Sequence, residues 1–196
     1  MSKLYQKDII SLVPDNSRVL DLGCAKGDLL YNLKKFKHIH AVGVDISTEN
    51  VCQSISKGIS TIQGNIDEGL SFYDDKSFDV VILSQTLQVV RNPLKLLQEL
   101  LRIGKMAIII VPNFGHWRLR SQIFFKGRMP KNKTLQYEWY NTPNIHLASI
   151  KDFEDLFAKN DINILEKKLY LSNGSPLKWH WAGNLLSEIA LFVIKK

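Results

Sequence analysis

The residues best placed to do chemistry lie in one stretch, Arg18-Val-Leu-Asp-Leu-Gly-Cys-Ala-Lys-Gly27, where an apolar run meets a loop of small residues. Asp21 puts a carboxyl near the end of the run, and Gly23, Ala25 and Gly27 leave the following backbone bare enough for a bound molecule to approach closely. A tight strand-to-helix turn with no ligand would use the same glycines. Three further positions favour a ligand. Asp45 follows Gly27 by 18 residues and ends the next predicted strand, where an acid accepts hydrogen bonds from both hydroxyls of a ribose. Asn65, after the third strand, offers an amide to an adenine edge. Ser84 and Gln85 complete a row along the carboxyl ends of the strands, where open sheets bind ligands. The chemistry is nucleoside recognition.

What the loop lacks narrows the ligand. A dinucleotide fingerprint beginning at Gly23 needs Gly or Ala at position 28 and an uncharged helix start to hold pyrophosphate, yet Asp28 stands there. With Asp21 also near, the loop suits a molecule bearing an ammonium and a sulfonium, as S-adenosylmethionine does. The helix dipole and Lys26 remain for its carboxylate.

These residues need a sheet to align them. Seven strands are predicted at Val19–Leu22, His40–Asp45, Thr61–Gly64, Asp79–Leu83, Met106–Val111, Ile162–Tyr170 and Glu188–Ile194. Helical spacing marks Asp28–Phe36, Thr48–Lys57 and Pro93–Ile103, the last with Asn92 as N-cap and Gly104 beyond its end, and a near capping box marks Ser149–Lys159. Short apolar strands joined by helices predict a parallel sheet covered on both faces, with the last two strands as an antiparallel pair. The expected fold class is α/β: a Rossmann-like three-layer α/β/α sandwich, with a mostly parallel seven-stranded sheet and an antiparallel last strand.

The 196 residues, 45% of them hydrophobic, suit one domain. No apolar run is long enough to cross a bilayer and no secretory core follows the amino terminus, so the expected setting is cytoplasmic, away from membranes. Cys24 and Cys52, the sole cysteines, show no zinc spacing, and no metal is expected. The net charge of +7 is concentrated between positions 113 and 148, where Arg118, Arg120, Lys126, Arg128, Lys131 and Lys133 face one acid, Glu138. That stretch has no recognition helix or RNA-stacking motif, so nucleic acid is not the expected partner.

The strand-loop motif with Asp45 and Asn65 resembles the class I S-adenosylmethionine-dependent methyltransferases. The segments GNIDEGL (64–70), FDVVILSQTLQVVRNP (78–93), VPNFGHWRLR (111–120), GRMP (127–130) and YEWYNTPNIHLASIKDFE (137–154) resemble the MetW family of methionine biosynthesis proteins more narrowly. That resemblance implies a methyltransferase fold with no firmly assigned methyl acceptor, working with homoserine O-acetyltransferase. The cofactor, S-adenosylmethionine or S-adenosylhomocysteine, would touch Asp21, Gly23, Cys24, Ala25 and Gly27, Asp45 with Ile46, Asn65 with Ile66, and Ser84. The chain departs from the family loop at Ala25, Lys26 and Asn65. The extra methyl of Ala25 is tolerable if its backbone angles are ordinary.

The segment at about 113–148 interrupts the strand-helix alternation and is expected as a helical and loop cap on a single methyltransferase-like domain spanning 1–196. Its aromatics serve either as packing, as an acceptor pocket or as a docking face for an acidic partner, a face that Trp179 and Trp181 would extend. His116 and His146 are candidate bases, though a lone histidine is more often a packed or capping residue. Trp139 and Tyr140 are candidates to meet the sulfonium through their ring faces. Two functions follow: a cofactor-sensing accessory subunit of the acetyltransferase, or an active methyltransferase on a small-molecule or protein acceptor.

Overall fold

A computed structural model describes residues 3–132 and 136–196; Lys133 lies outside the described residues. In chain order the elements are α1 (Lys3–Leu12), β1 (Arg18–Leu22), α2 (Asp28–Lys37), β2 (His40–Asp45), α3 (Thr48–Ser56), β3 (Ser60–Gln63), β4 (Phe78–Ser84), α4 (Pro93–Ile103), β5 (Gly104–Pro112), α5 (Trp117–Lys126), α6 (Ile150–Lys159), β6 (Asn163–Tyr170), α7 (Gly183–Leu186) and β7 (Ile189–Lys195). The strands form one seven-stranded sheet in the order β3-β2-β1-β4-β5-β7-β6. All neighbours run parallel as far as β5, and β7 lies antiparallel to both β5 and β6. The expected Rossmann-like topology is therefore observed.

The central strands exist because their apolar runs are buried on both faces, while the edge strands β3 and β6 are largely exposed. Val19, Leu20, Leu22 and Val80 through Leu83 have no exposed surface. Side chains of alternating direction feed two cores. One, with Leu20, Val81, Ile109 and Phe192, packs under α4 and α6. The other, with Val19, Ile82, Ile108 and Leu191, packs against Tyr5, Ile9, Leu30 and Leu33 of α1 and α2. Helix α4 starts where Asn92 accepts the Lys95 N–H at 3.1 Å and buries Leu96, Leu97, Leu100 and Leu101. The Ser149–Asp152 capping box opens α6.

Three helices lie outside the predicted set: α1, α5 and the short α7. Helix α1 buries Tyr5 and Ile9 against the sheet, and Asp8 ties it to the far edge through the Lys168 ammonium at 2.7 Å and the Tyr170 hydroxyl at 2.9 Å. Helix α5 follows β5 in the segment of 113–148. Among its ten residues Leu119 alone is buried.

Candidate functional site

The switch in strand order falls between β1 and β4, and there the chain leaves a cleft of about 350 Å³ above the carboxyl ends of the strands. Asp21, Gly23, Cys24, Ala25, Ser84 and Gln85 line it, and Tyr5 and Gln6 of α1 close one side. The Tyr5 hydroxyl sits 3.3 Å from Ser84 Oγ and accepts from Gln85 Nε2 at 2.9 Å. The predicted loop and β4 residues are thus brought together, and α1 supplies a wall that motif reading did not include.

The loop glycines serve the chain itself first. Gly23 and Gly27 have φ of 77° and 73°, and a Cβ on them would collide with Thr86 Oγ1 and with Ser54 Oγ. Ala25 also adopts the left-handed region, with φ 48°, so its backbone angles are not the ordinary ones its methyl would prefer. The loop is held in this shape by Asp45.

Against the expectation that Asp45 receives two ribose hydroxyls, most of its hydrogen-bonding capacity is spent within the chain. Oδ2 accepts the Ala25 N–H at 2.8 Å, and Oδ1 accepts from the Ser47 N–H at 2.9 Å and from Asn50 Nδ2 at 3.0 Å. A carboxylate oxygen has two acceptor sites, so Oδ2 retains one. Asn50, which shares this network, lines the cleft although its signal in the sequence is only that of a helix residue.

Asp21 is different. It is 2% exposed, and its Oδ1 has no hydrogen-bond partner. Burial, with the nearby Asp45 charge adding to it, pushes its carboxyl up to about 7. The same surroundings push the Cys24 thiol up to about 12 and keep it un-ionised. Asp28, the acid that argues against a diphosphate, pairs with Lys57, whose ammonium also donates to the Lys26 carbonyl at 2.7 Å. Asp21 is left as the uncompensated carboxyl in the cleft.

The predicted adenine side is open surface. Ile46 is 67% exposed, and Ile66 is half-buried against the core under α4. Asn65 Oδ1 caps a short helical turn by accepting the Asp67 N–H at 3.1 Å, while its Nδ2 donates to Glu68 at 3.2 Å.

None of the four acceptor-side candidates lines the cleft. His116 is buried at the start of α5, where Nδ1 accepts the Arg118 N–H at 3.2 Å and the ring also hydrogen-bonds the Leu186 backbone. Burial holds its imidazole below the usual histidine range. It is a cap. The His146 side chain is exposed, and its backbone N–H donates to the Gln88 carbonyl at 3.1 Å. Trp139 and Tyr140, 71% and 70% exposed, pack edge to face with each other. Trp139 instead helps to line a second hollow of about 640 Å³, between Phe114, the 127–131 turn and the 137–147 segment. Among the described residues no group of three His, Cys, Asp or Glu could hold a metal ion, and no helix is long and apolar enough to cross a membrane.

Comparison with known proteins agrees with this architecture. The family described as "Methionine biosynthesis protein MetW" matches residues 5–194. A protein of Rhodopirellula baltica named bifunctional methionine biosynthesis protein MetXA/MetW is 36% identical over 171 residues, covering 83% of the chain; the chain spans 27% of that protein's length. The mitochondrial ubiquinone biosynthesis O-methyltransferase of Dictyostelium discoideum is 24% identical across 99% of the chain, which spans 66% of it. Among solved structures, an S-adenosylmethionine dependent methyltransferase from Mesorhizobium loti superposes with a TM-score of 0.72 at 13% identity, covering 98% of each chain, a likeness of fold.

Proposed function

The chain belongs to the MetW family of methionine biosynthesis proteins, and from that membership we propose that it binds S-adenosylmethionine and acts as an accessory subunit of homoserine O-acetyltransferase in the cytoplasm. One observation carries the ligand: a buried carboxyl with an orphaned oxygen lines a cleft beside a helix N-terminus. An unpaired buried carboxyl costs stability unless something binds it, and an ammonium is its natural complement.

The residues present fit that ligand. Asp21 would take the ammonium, Lys26 and the start of α2 the carboxylate, and the remaining acceptor site of Asp45 Oδ2 one ribose hydroxyl. The rim at Ile46, Asn65 and Ile66 would carry the adenine. Bound there, S-adenosylmethionine supplies an electrophilic methyl. What the chain itself contributes is electrostatic: Asp21 balances the ligand's positive charge, and Tyr5 with Ser84 and Gln85 shuts water from one side. The segment of 113–148 would act as a cap on a single domain.

The partner is supported by the Rhodopirellula protein, whose name joins MetXA to MetW in one chain. The accessory reading is favoured over catalysis because His116 is spent on capping and His146 does not reach the cleft. Since S-adenosylmethionine derives from methionine, its binding would report end product to an early enzyme of the pathway. The test is a calorimetric titration of S-adenosylmethionine into the chain, alone and with the acetyltransferase. Coupling predicts different affinities in the two titrations, and identical ones overturn it. Release of S-adenosylhomocysteine on adding an acceptor would establish the enzyme instead.

A further inference from the structure

Helix α5 is built inside out. At about 100° per residue, Trp117, Phe124 and Phe125 fall together with Arg118 on the side opposite Leu119, its buried residue. Phe124 is 83% exposed and Phe125 80%, with their rings edge to face at 5.0 Å, and Trp117 is 45% exposed beneath the Arg118 guanidinium. A surface helix of this length normally turns its apolar side to the core, since an isolated ten-residue helix is marginal in water. Here the large rings point to solvent while Leu119 alone is buried.

The face does not end with the helix. The chain folds back beyond Lys126, pinned where the Gln122 amide exchanges hydrogen bonds with the Lys131 backbone at 3.0 and 3.1 Å. That turn forms one wall of the 640 Å³ hollow, whose opposite wall includes Tyr137 and Trp139. An exposed aromatic ridge therefore adjoins a concave hollow lined by apolar, aromatic and charged side chains, the pairing found at the centre of protein interfaces. Charge selects among occupants. Arg118, Arg120, Lys126 and Arg128 surround the ridge, and Glu138, the acid of this segment, is already paired with Lys131. Two copies meeting face to face would bring these cations together, whereas an acidic surface would neutralise them.

We infer that the outer face of α5, with the adjoining hollow, is the docking surface for an acidic, aromatic-accepting face of the acetyltransferase. This rests on the partnership proposed above and adds the surface that makes it. The experiment measures binding of the parent chain, of a Phe124→Ser/Phe125→Ser double variant, of Arg118→Glu and of Phe36→Ser to the purified acetyltransferase. Phe36 is an exposed ring on α2 and serves as control. Circular dichroism melts confirm that each variant is folded.

The double variant and Arg118→Glu are expected to bind about tenfold more weakly or worse, with Phe36→Ser unchanged. Raising the salt should weaken parent binding. Full binding by the folded double variant overturns this surface while leaving the partnership standing. Equal loss in Phe36→Ser also overturns it, since the effect would then not belong to α5. No binding by the parent chain overturns the partnership and this inference with it. Should the parent instead bind vesicles of equal parts phosphatidylserine and phosphatidylcholine, and the double variant not, the ridge is a membrane-surface element.

Discussion

Asp21 is a carboxyl that the fold carries at a cost. Its folded-state value of about 7 lies above the model-peptide 3.8, so the unfolded chain releases this proton more readily. Stability is therefore undiminished below the lower value and falls as pH rises toward and through about 7. Asp21→Asn removes the charge, and at pH 8 it should raise stability by roughly 2–4 kcal/mol, a melting-temperature gain on the order of 10 °C. At pH 4 the gain should nearly vanish, and parallel thermal melts at the two pH values check both. The loop makes a second residue-scale prediction. Gly27→Ala must place a methyl where Ser54 Oγ sits, at an unfavourable φ, and should cost about 2 kcal/mol or more. Ala25→Gly should instead gain about 0.5 kcal/mol, the relief of its left-handed φ less the entropy of glycine. Urea midpoints of the two variants should move in opposite directions. None of this was readable in the motif. Its glycines announce close approach, but which atom approaches depends on Thr86 and Ser54, and the Ala25 N–H that Asp45 accepts stands 20 residues from it in sequence.

Among the elements, Asn113 at the end of β5 acts as a buried junction. Its amide nitrogen donates to the carbonyls of Asn184 and Ser187 at 3.1 and 2.7 Å, and its oxygen accepts the N–H groups of Gly115 and Ile150. One side chain thus joins β5 to the starts of α5 and α6 and to α7. Asn113→Ala should cost about 3 kcal/mol and raise amide hydrogen exchange from 114 to 120 and from 145 to 150, with β1 and β4 unaffected. Removing the His116 cap by His116→Ala should cost about 1–2 kcal/mol and leave cofactor affinity unchanged, as calorimetry at matched temperature would show. The strands and four of the helices were legible because apolar runs and caps act over a few residues. Leu94, Leu97 and Leu101 announced α4, and Val80 through Leu83 announced a buried strand. Helix α1 was legible only weakly: Tyr5, Ile9 and Val13 recur at a spacing of four, but Lys7 and Asp8 interrupt the first interval and the wall they build depends on Ser84 and Gln85, remote in sequence. Helix α5 was hidden for a different reason: with Leu119 and Ile123 on one side and Trp117, Phe124 and Phe125 on the other, its apolar residues form no single stripe.

At the scale of the molecule, a parallel sheet with its switch point between β1 and β4 aligns Asp21, Gly23 and Ser84 along one edge, and α1 shuts that edge on one side. The basic, aromatic surface of 113–148 lies beyond the same carboxyl edge. The Gln88 carbonyl receives the N–H groups of Ile145 and His146, and the Gln88 side chain donates to the Gln85 carbonyl at 2.7 Å. Cleft and outer segment thus meet at one loop, which is a physical route by which a ligand and a partner would feel each other. The central claim is that an ammonium-bearing nucleoside binds against Asp21. Calorimetric titration of S-adenosylmethionine at pH 6 and pH 8, into the parent chain and into Asp21→Asn, tests it most directly. Binding of a cation favours the ionised carboxyl, so the parent should bind more tightly at pH 8 and release fewer protons on binding there than at pH 6, and the variant should bind about tenfold more weakly or worse and not gain affinity at pH 8. Equal affinities for parent and variant at both pH values, or no binding by the folded parent, would contradict the account.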